Sequence, residues 1–179
     1  MKRIVIAALV GGLIFFIWSF IAHIATPLGM LGMSNLPNED AVIQSLRANV
    51  PGSGLYFFPG EMKDRAAWEK KLEEGPSGML VYTAGGVPMM DPKQLIGELV
   101  TDIVAAFIAA SIIALIAASY AKRVCVVAMM GVFGWVSLLL SYWIWYRFPT
   151  AYILGEGITE IVGWALAGLA IAKLVPSRA

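Results

Sequence analysis

Four long apolar runs, at residues 4–26, 95–120, 124–146 and 152–175, constrain this chain more than any other feature of its sequence. Each reaches the roughly 20 residues that an α-helix needs to cross the hydrocarbon core of a bilayer. Lipid offers the backbone no hydrogen-bond partners, so such runs must be helical. Composition agrees: 59% of residues are hydrophobic and 14% charged, against about 45–50% and about 25% in a soluble domain. The expected fold is an all-α integral membrane four-helix bundle. A small extracytoplasmic α/β insertion, residues 27–94, separates helices one and two and holds most of the charge.

The first run follows Lys2 and Arg3 and so resembles a secretory signal. It exceeds the roughly 7–15 apolar residues of a signal core, which makes it an anchor instead. The net charge of +1 gives no basic surface for nucleic acid. A lone cysteine, Cys125, excludes an intrachain disulfide and any zinc site built on cysteines.

Basic residues set the expected topology. Lys2 and Arg3 precede helix one, Lys122 and Arg123 separate helices two and three, and Lys173 and Arg178 close the chain, with no acid beside any of them. The positive-inside rule puts these three regions in the cytoplasm of a bacterial inner membrane and residues 27–94 in the periplasm. Tyr142, Trp143, Trp145, Tyr146 and Tyr152 bracket the outer turn between helices three and four, where an interfacial aromatic belt belongs.

Within the insertion, Asn38-Glu39-Asp40 predicts the start of a short helix reaching about Ala48. Residues 54–60 and 77–83 read as strands. Between them a charged helix over 61–74 is stopped by Gly75-Pro76. The order strand–helix–strand permits a parallel pair with a crossover, and equally a hairpin-like pair.

The chemistry concentrates in two matching phrases. Residues 96–104 read IGELVTDIV and residues 154–162 read LGEGITEIV. Each carries two acids four residues apart, on one helix face: Glu98 and Asp102 with Thr101 beside them, Glu156 and Glu160 with Thr159 beside them. Asp91-Pro92 predicts a capped helix start before the first phrase, and Pro149-Thr150 precedes the second. The phrases therefore belong at similar depth on parallel helices, with helices two and four approaching closely, as an internal repeat of two helical hairpins would place them.

Four carboxylates face only Arg147 and His23 as nearby cations. Burying an unpaired carboxylate costs several kcal/mol, so it takes up a proton or recruits a partner. The bland reading is acids at the wet interface, protonated or paired with Arg147. A divalent metal site would take oxygens from Glu98, Asp102, Glu156 and Glu160 and a nitrogen from His23, but the Glu-x-x-His spacing of bundle metal sites is missing. A proton or cation pathway would use the same acids. In the inner halves of the helices its only polar stations are Ser111, Ser119 and Ser137, too few for a continuous relay. No serine–histidine spacing suggests a hydrolase.

The string His23-Ile24-Ala25-Thr26-Pro27-Leu28-Gly29, with Leu36-Pro37-Asn38-Glu39 and 54–60 GLYFFPG, resembles a group of small bacterial inner-membrane proteins. The resemblance covers the first third of the chain. That group has no assigned activity, so it implies a membrane location and carries over no functional residue.

The expectation is a non-enzymatic accessory or binding subunit that presents its lobe and an outward acidic cleft, embedded in the bilayer beside another membrane protein or a second copy. The alternatives are a metal-dependent membrane enzyme or metal carrier, and a proton- or cation-coupled transporter acting as a dimer.

Overall fold

A computed structural model describes residues 1–88 and 90–177. In chain order its elements are α1 (Lys2–Ala25), a 3-10 turn (Pro27–Met30), α2 (Glu39–Asn49), β1 (Gly54–Phe58), α3 (Arg65–Glu74), β2 (Gly78–Tyr82), α4 (Pro92–Ile113), α5 (Tyr120–Gly134), a π turn (Trp135–Leu139), α6 (Leu140–Tyr146) and α7 (Thr150–Leu174). Four helices are long and apolar enough to cross a membrane: α1, α4, α7, and the continuous rod Tyr120–Tyr146. The chain divides into two units, Met1–Met33 with Met90–Ala179, and Ser34–Met89.

In the helical unit, local chemistry sets the helix ends. Thr26 stops α1 with an extended backbone, φ −128° and ψ 164°. Its hydroxyl donates to the Ala22 carbonyl at 2.6 Å and accepts from the Leu28 amide at 3.1 Å, so it also caps the turn that Pro27 opens. Asp91 caps α4 by accepting the Lys93 amide at 2.9 Å, and Pro92 takes the first helical position, as the sequence requires.

The α4 helix stops earlier than its apolar run. Leu115 and Ile116 donate to carbonyls three residues back, at 3.0 and 3.2 Å, which tightens and ends the last turn. Ser119, with extended φ and ψ, then occupies the N-cap position of α5. Lys122 and Arg123 consequently lie in the first turn of α5, which corrects the expectation that they sit between helices. Arg178 lies outside the described residues.

Helix α1 packs extensively along α4 and along α7, and α5 packs along α7, whereas α4 and α7 touch only slightly. The expected close approach of the second and fourth membrane helices is thus replaced by contacts through the first. The core is built mostly of alanine with Phe15, Ile113, Val127 and Ile171. Small residues allow the backbones near contact, which is how helices associate where lipid removes the hydrophobic drive. The limiting case is Gly12, where a Cβ would stand 2.6 Å from the Ile103 Cα.

A π turn interrupts the rod Tyr120–Tyr146. There the Trp135 indole donates to the Ile153 carbonyl at 2.8 Å, and Gly157 leaves the ring its space: a Cβ at 157 would lie 2.6 Å from the indole nitrogen. Beyond it, Tyr142 meets Tyr146 and Phe148, and Phe148 meets Tyr152, at centroid distances of 5.3–5.6 Å. Arg147 ends α6 in the left-handed region, φ 58° and ψ 36°.

In the second unit β1 and β2 pair antiparallel, from Gly54↔Tyr82 to Phe58↔Gly78. Of the two arrangements the strand–helix–strand order allowed, the hairpin-like one forms. A parallel pair needs its faces roofed, and α3 has only Trp68 and Leu72 as large apolar side chains, with no residue buried. Asp64 caps α3 by accepting the Ala67 amide, and Gly75 at φ 63° ends it. Trp68 ties the helix to the strand end by donating to the Pro59 carbonyl at 3.1 Å.

Candidate functional site

The buried stripe of α4 reads Asp102, Ala106, Ala109, Ala110, Ile113. These positions share one helix face, and below Asp102 that face is wholly apolar. Asp102 is 6% exposed, and its Oδ2 is buried without a hydrogen-bond partner among the described residues. Glu98, one turn earlier on the same face, is exposed. Both Glu98 and Glu160 lie within electrostatic reach of Asp102, and Glu156 and Glu98 within that of Glu160. The acids of the two phrases therefore gather at one end of the helical unit.

Each acid on α7 has a partner. Glu160 Oε2 accepts from the Trp164 indole at 3.1 Å, four residues along the same helix. The Trp164 ring in turn stacks on Phe15 of α1, centroids 4.8 Å apart. Glu156 Oε1 stands 3.5 Å from His23 Nε2. His23 Nδ1 faces the Ser19 carbonyl at 2.9 Å and so carries a hydrogen.

The threonines of the two phrases serve their own helices. Thr101 Oγ1 donates to the Glu98 carbonyl at 2.8 Å and Thr159 Oγ1 to the Gly155 carbonyl at 3.1 Å. Thr159 is buried, and its carbonyl accepts from the Trp18 indole of α1 at 2.9 Å. Its counterpart Thr101 is exposed. Equivalent positions of the phrases thus meet different surroundings, because α7 is packed by both α1 and α5 while α4 leans mainly on α1.

Arg147 does not join the acids. It is exposed in the turn after α6, and among the described residues no ion pair includes it. Nor do the metal candidates Glu98, Asp102, Glu156, Glu160 and His23 assemble: among the described residues no three His, Cys, Asp or Glu side chains could hold one ion.

Beside the acids a crevice of about 300 Å³ opens along α1 and α4, walled by Phe16, Phe20, Ile24 and Leu95 with Ser19, His23 and Glu98 as polar members. Its apolar wall and acidic lip suit an amphiphilic cation better than a bare anion. The sequence reading missed the indole donors Trp18 and Trp164 as parts of this region. The only signal for Trp164 was its place four residues after Glu160; for Trp18 there was none.

No known protein family, curated protein or solved structure matches the chain.

Proposed function

We propose that this chain is a non-enzymatic binding subunit of a bacterial inner membrane whose acidic end captures a cation or a cationic group. The observation that carries the reading is Asp102: a buried carboxylate with one oxygen unpartnered among the described residues, and with the acids Glu98 and Glu160 as its electrostatic neighbours. Such a group is costly unless a proton or another cation completes it. The crevice beside Glu98 and His23 supplies a route of access.

The proposed topology puts both termini in the cytoplasm and residues 27–94 in the periplasm. Support comes from the segregation of charge: Lys2, Arg3, Lys122, Arg123 and Lys173 belong to one end of the helical unit, the acids of the two phrases to the other. The two phrases, read as an internal repeat, bring acids from both α4 and α7 to that end. A continuous proton relay finds little support. Ser111 and Ser137, two of its three polar stations, direct their hydroxyls to the carbonyls of Phe107 and Gly134 of their own helices.

The test is cation-dependent stability of the full chain purified in detergent. Sodium, potassium and a quaternary ammonium ion are each titrated while thermal unfolding is followed. Wild type is expected to be stabilised by at least one of them at constant ionic strength, and Asp102→Asn to lose that response. An identical response in both proteins, or none in wild type, would remove the basis for the proposal.

A further inference from the structure

The opposite end of the helical unit carries no acid and two hollows. One, of about 350 Å³, is walled by Lys2, Arg3, Ile4, Ala114, Val175 and Pro176. The other, of about 310 Å³, is walled by Arg3, Ile6, Lys173 and Leu174. Arg3 belongs to both, so the start of α1 and the end of α7 form adjoining basic recesses whose remaining walls are mostly apolar, with Met1 and Ser177 also lining the larger one. Among the described residues, none of Lys2, Arg3, Lys122 or Lys173 is in an ion pair.

A second observation adds to this end. Arg123 is 6% exposed, and its guanidinium donates through Nη1 to the carbonyl of Val175, the residue that walls the larger hollow. Its Nε is buried with no hydrogen-bond partner among the described residues. The cation holds the last turn of α7 in place behind the recess. Its charge is uncompensated by any carboxylate of the described residues.

We propose that these adjoining recesses are a binding site for the headgroup of an anionic glycerophospholipid, with its phosphate between Arg3 and Lys173. The walls account for the choice of ligand. A phosphate diester takes charge-assisted hydrogen bonds from arginine and lysine, and the attached acyl chains continue along apolar helix faces: Val5, Ile6, Leu9 and Leu13 of α1 are all exposed. A free phosphate would satisfy the bases and leave those faces unused. Basic recesses between membrane helices at the cytoplasmic leaflet are suited to such headgroups, since that leaflet is anionic. The site is separate from the acidic end and stands or falls independently of it.

The experiment is native mass spectrometry of the full chain released from detergent micelles containing either phosphatidylglycerol or phosphatidylcholine. Wild type is expected to keep phosphatidylglycerol at collision energies that strip phosphatidylcholine. The double variant Arg3→Gln, Lys173→Gln is expected to lose at least about tenfold in phosphatidylglycerol retention, the least that removing two bases from an anionic contact should cost. Both side chains are exposed, so folding is not at stake. Lys122→Gln, which removes an exposed base outside both hollows, should retain lipid like wild type. Equal retention of the two lipids, an unaffected double variant, or an equal loss in Lys122→Gln would overturn the site. So would protection of wild type by millimolar inorganic phosphate equal to that by phosphatidylglycerol, which would assign the recess to a free anion.

Discussion

The Trp164 indole holds Glu160 from one turn away on α7, nitrogen to oxygen 3.1 Å, while the same ring stacks on Phe15 of α1. One side chain therefore joins the acidic end to the helix packing. Trp164→Phe keeps a stacked ring and removes the donor. It should destabilise the protein by about 1–3 kcal/mol, because a half-buried carboxylate loses its only hydrogen-bond donor among the described residues. Thermal unfolding in detergent measures this, and the pair Trp164→Phe with Glu160→Leu should recover most of the loss. A single variant as stable as wild type would mean that the indole does not hold Glu160.

Asp102 runs the other way. Its buried Oδ2 lacks a donor among the described residues, and its electrostatic neighbours are acids. Asp102→Asn removes the charge, keeps the shape, and offers two hydrogens toward those acids. The variant should be more stable by about 1–2 kcal/mol, as when an uncompensated buried charge is replaced by a neutral group. Denaturation in the absence of added cation checks the sign. A less stable variant would mean that the carboxylate has a partner the packing provides.

Two glycines should respond oppositely to alanine. Gly12 meets the Ile103 backbone, where an added Cβ would lie at 2.6 Å, so Gly12→Ala forces α1 and α4 apart. A loss of about 1–3 kcal/mol is expected for such overpacking. Gly97 lies in α4 with nothing within 4 Å of an added Cβ. Gly97→Ala should stabilise by about 0.5–1 kcal/mol through the unfolded chain and helix propensity. Paired melting curves decide both; losses of equal size would contradict the described contact.

The His23–Glu156 pair is partly open to its surroundings, with side-chain exposures of 40% and 21%. A double-mutant cycle with His23→Gln and Glu156→Gln should give a coupling below about 1 kcal/mol. A larger value would show the pair to be better screened from solvent than its exposure implies.

Sidedness can be read by thiol labelling, because Cys125 is the only cysteine. In a Cys125→Ser background, Lys70→Cys on α3 should react with a membrane-impermeant maleimide on intact spheroplasts. Lys122→Cys should react only after lysis. The reverse pattern would invert the proposed topology.

Much of the local structure was legible in the sequence. Asp91-Pro92 announced the start of α4, and the spacing of Glu98 and Asp102 put both on one face, because a helix repeats every 3.6 residues whatever surrounds it. Which faces meet was not legible. A helix apolar all round has no polar side to show which way it turns, so nothing marked α1 as the partner of both α4 and α7. The glycine pair Gly11-Gly12 was the available hint, since small residues are where membrane helices touch. Arg123 was read as a loop charge because its apolar flanks hid the break at Ser119. Its burial follows from that break. For the same reason the two acidic phrases, alike in sequence, differ in surroundings: Thr159 is buried by α1 while Thr101 is exposed.

The π turn at Trp135–Leu139 amounts to one extra residue wound into an otherwise regular rod. The wider turn absorbs that residue, so the helical phase on either side is that of an uninterrupted α-helix. Deleting a single residue there should therefore leave the Trp143 indole on the side of the Thr150 hydroxyl, which it reaches at 3.2 Å. The same deletion in the regular part of the rod, where each residue advances the helix by about 100°, would turn the far end away from α7 like a key.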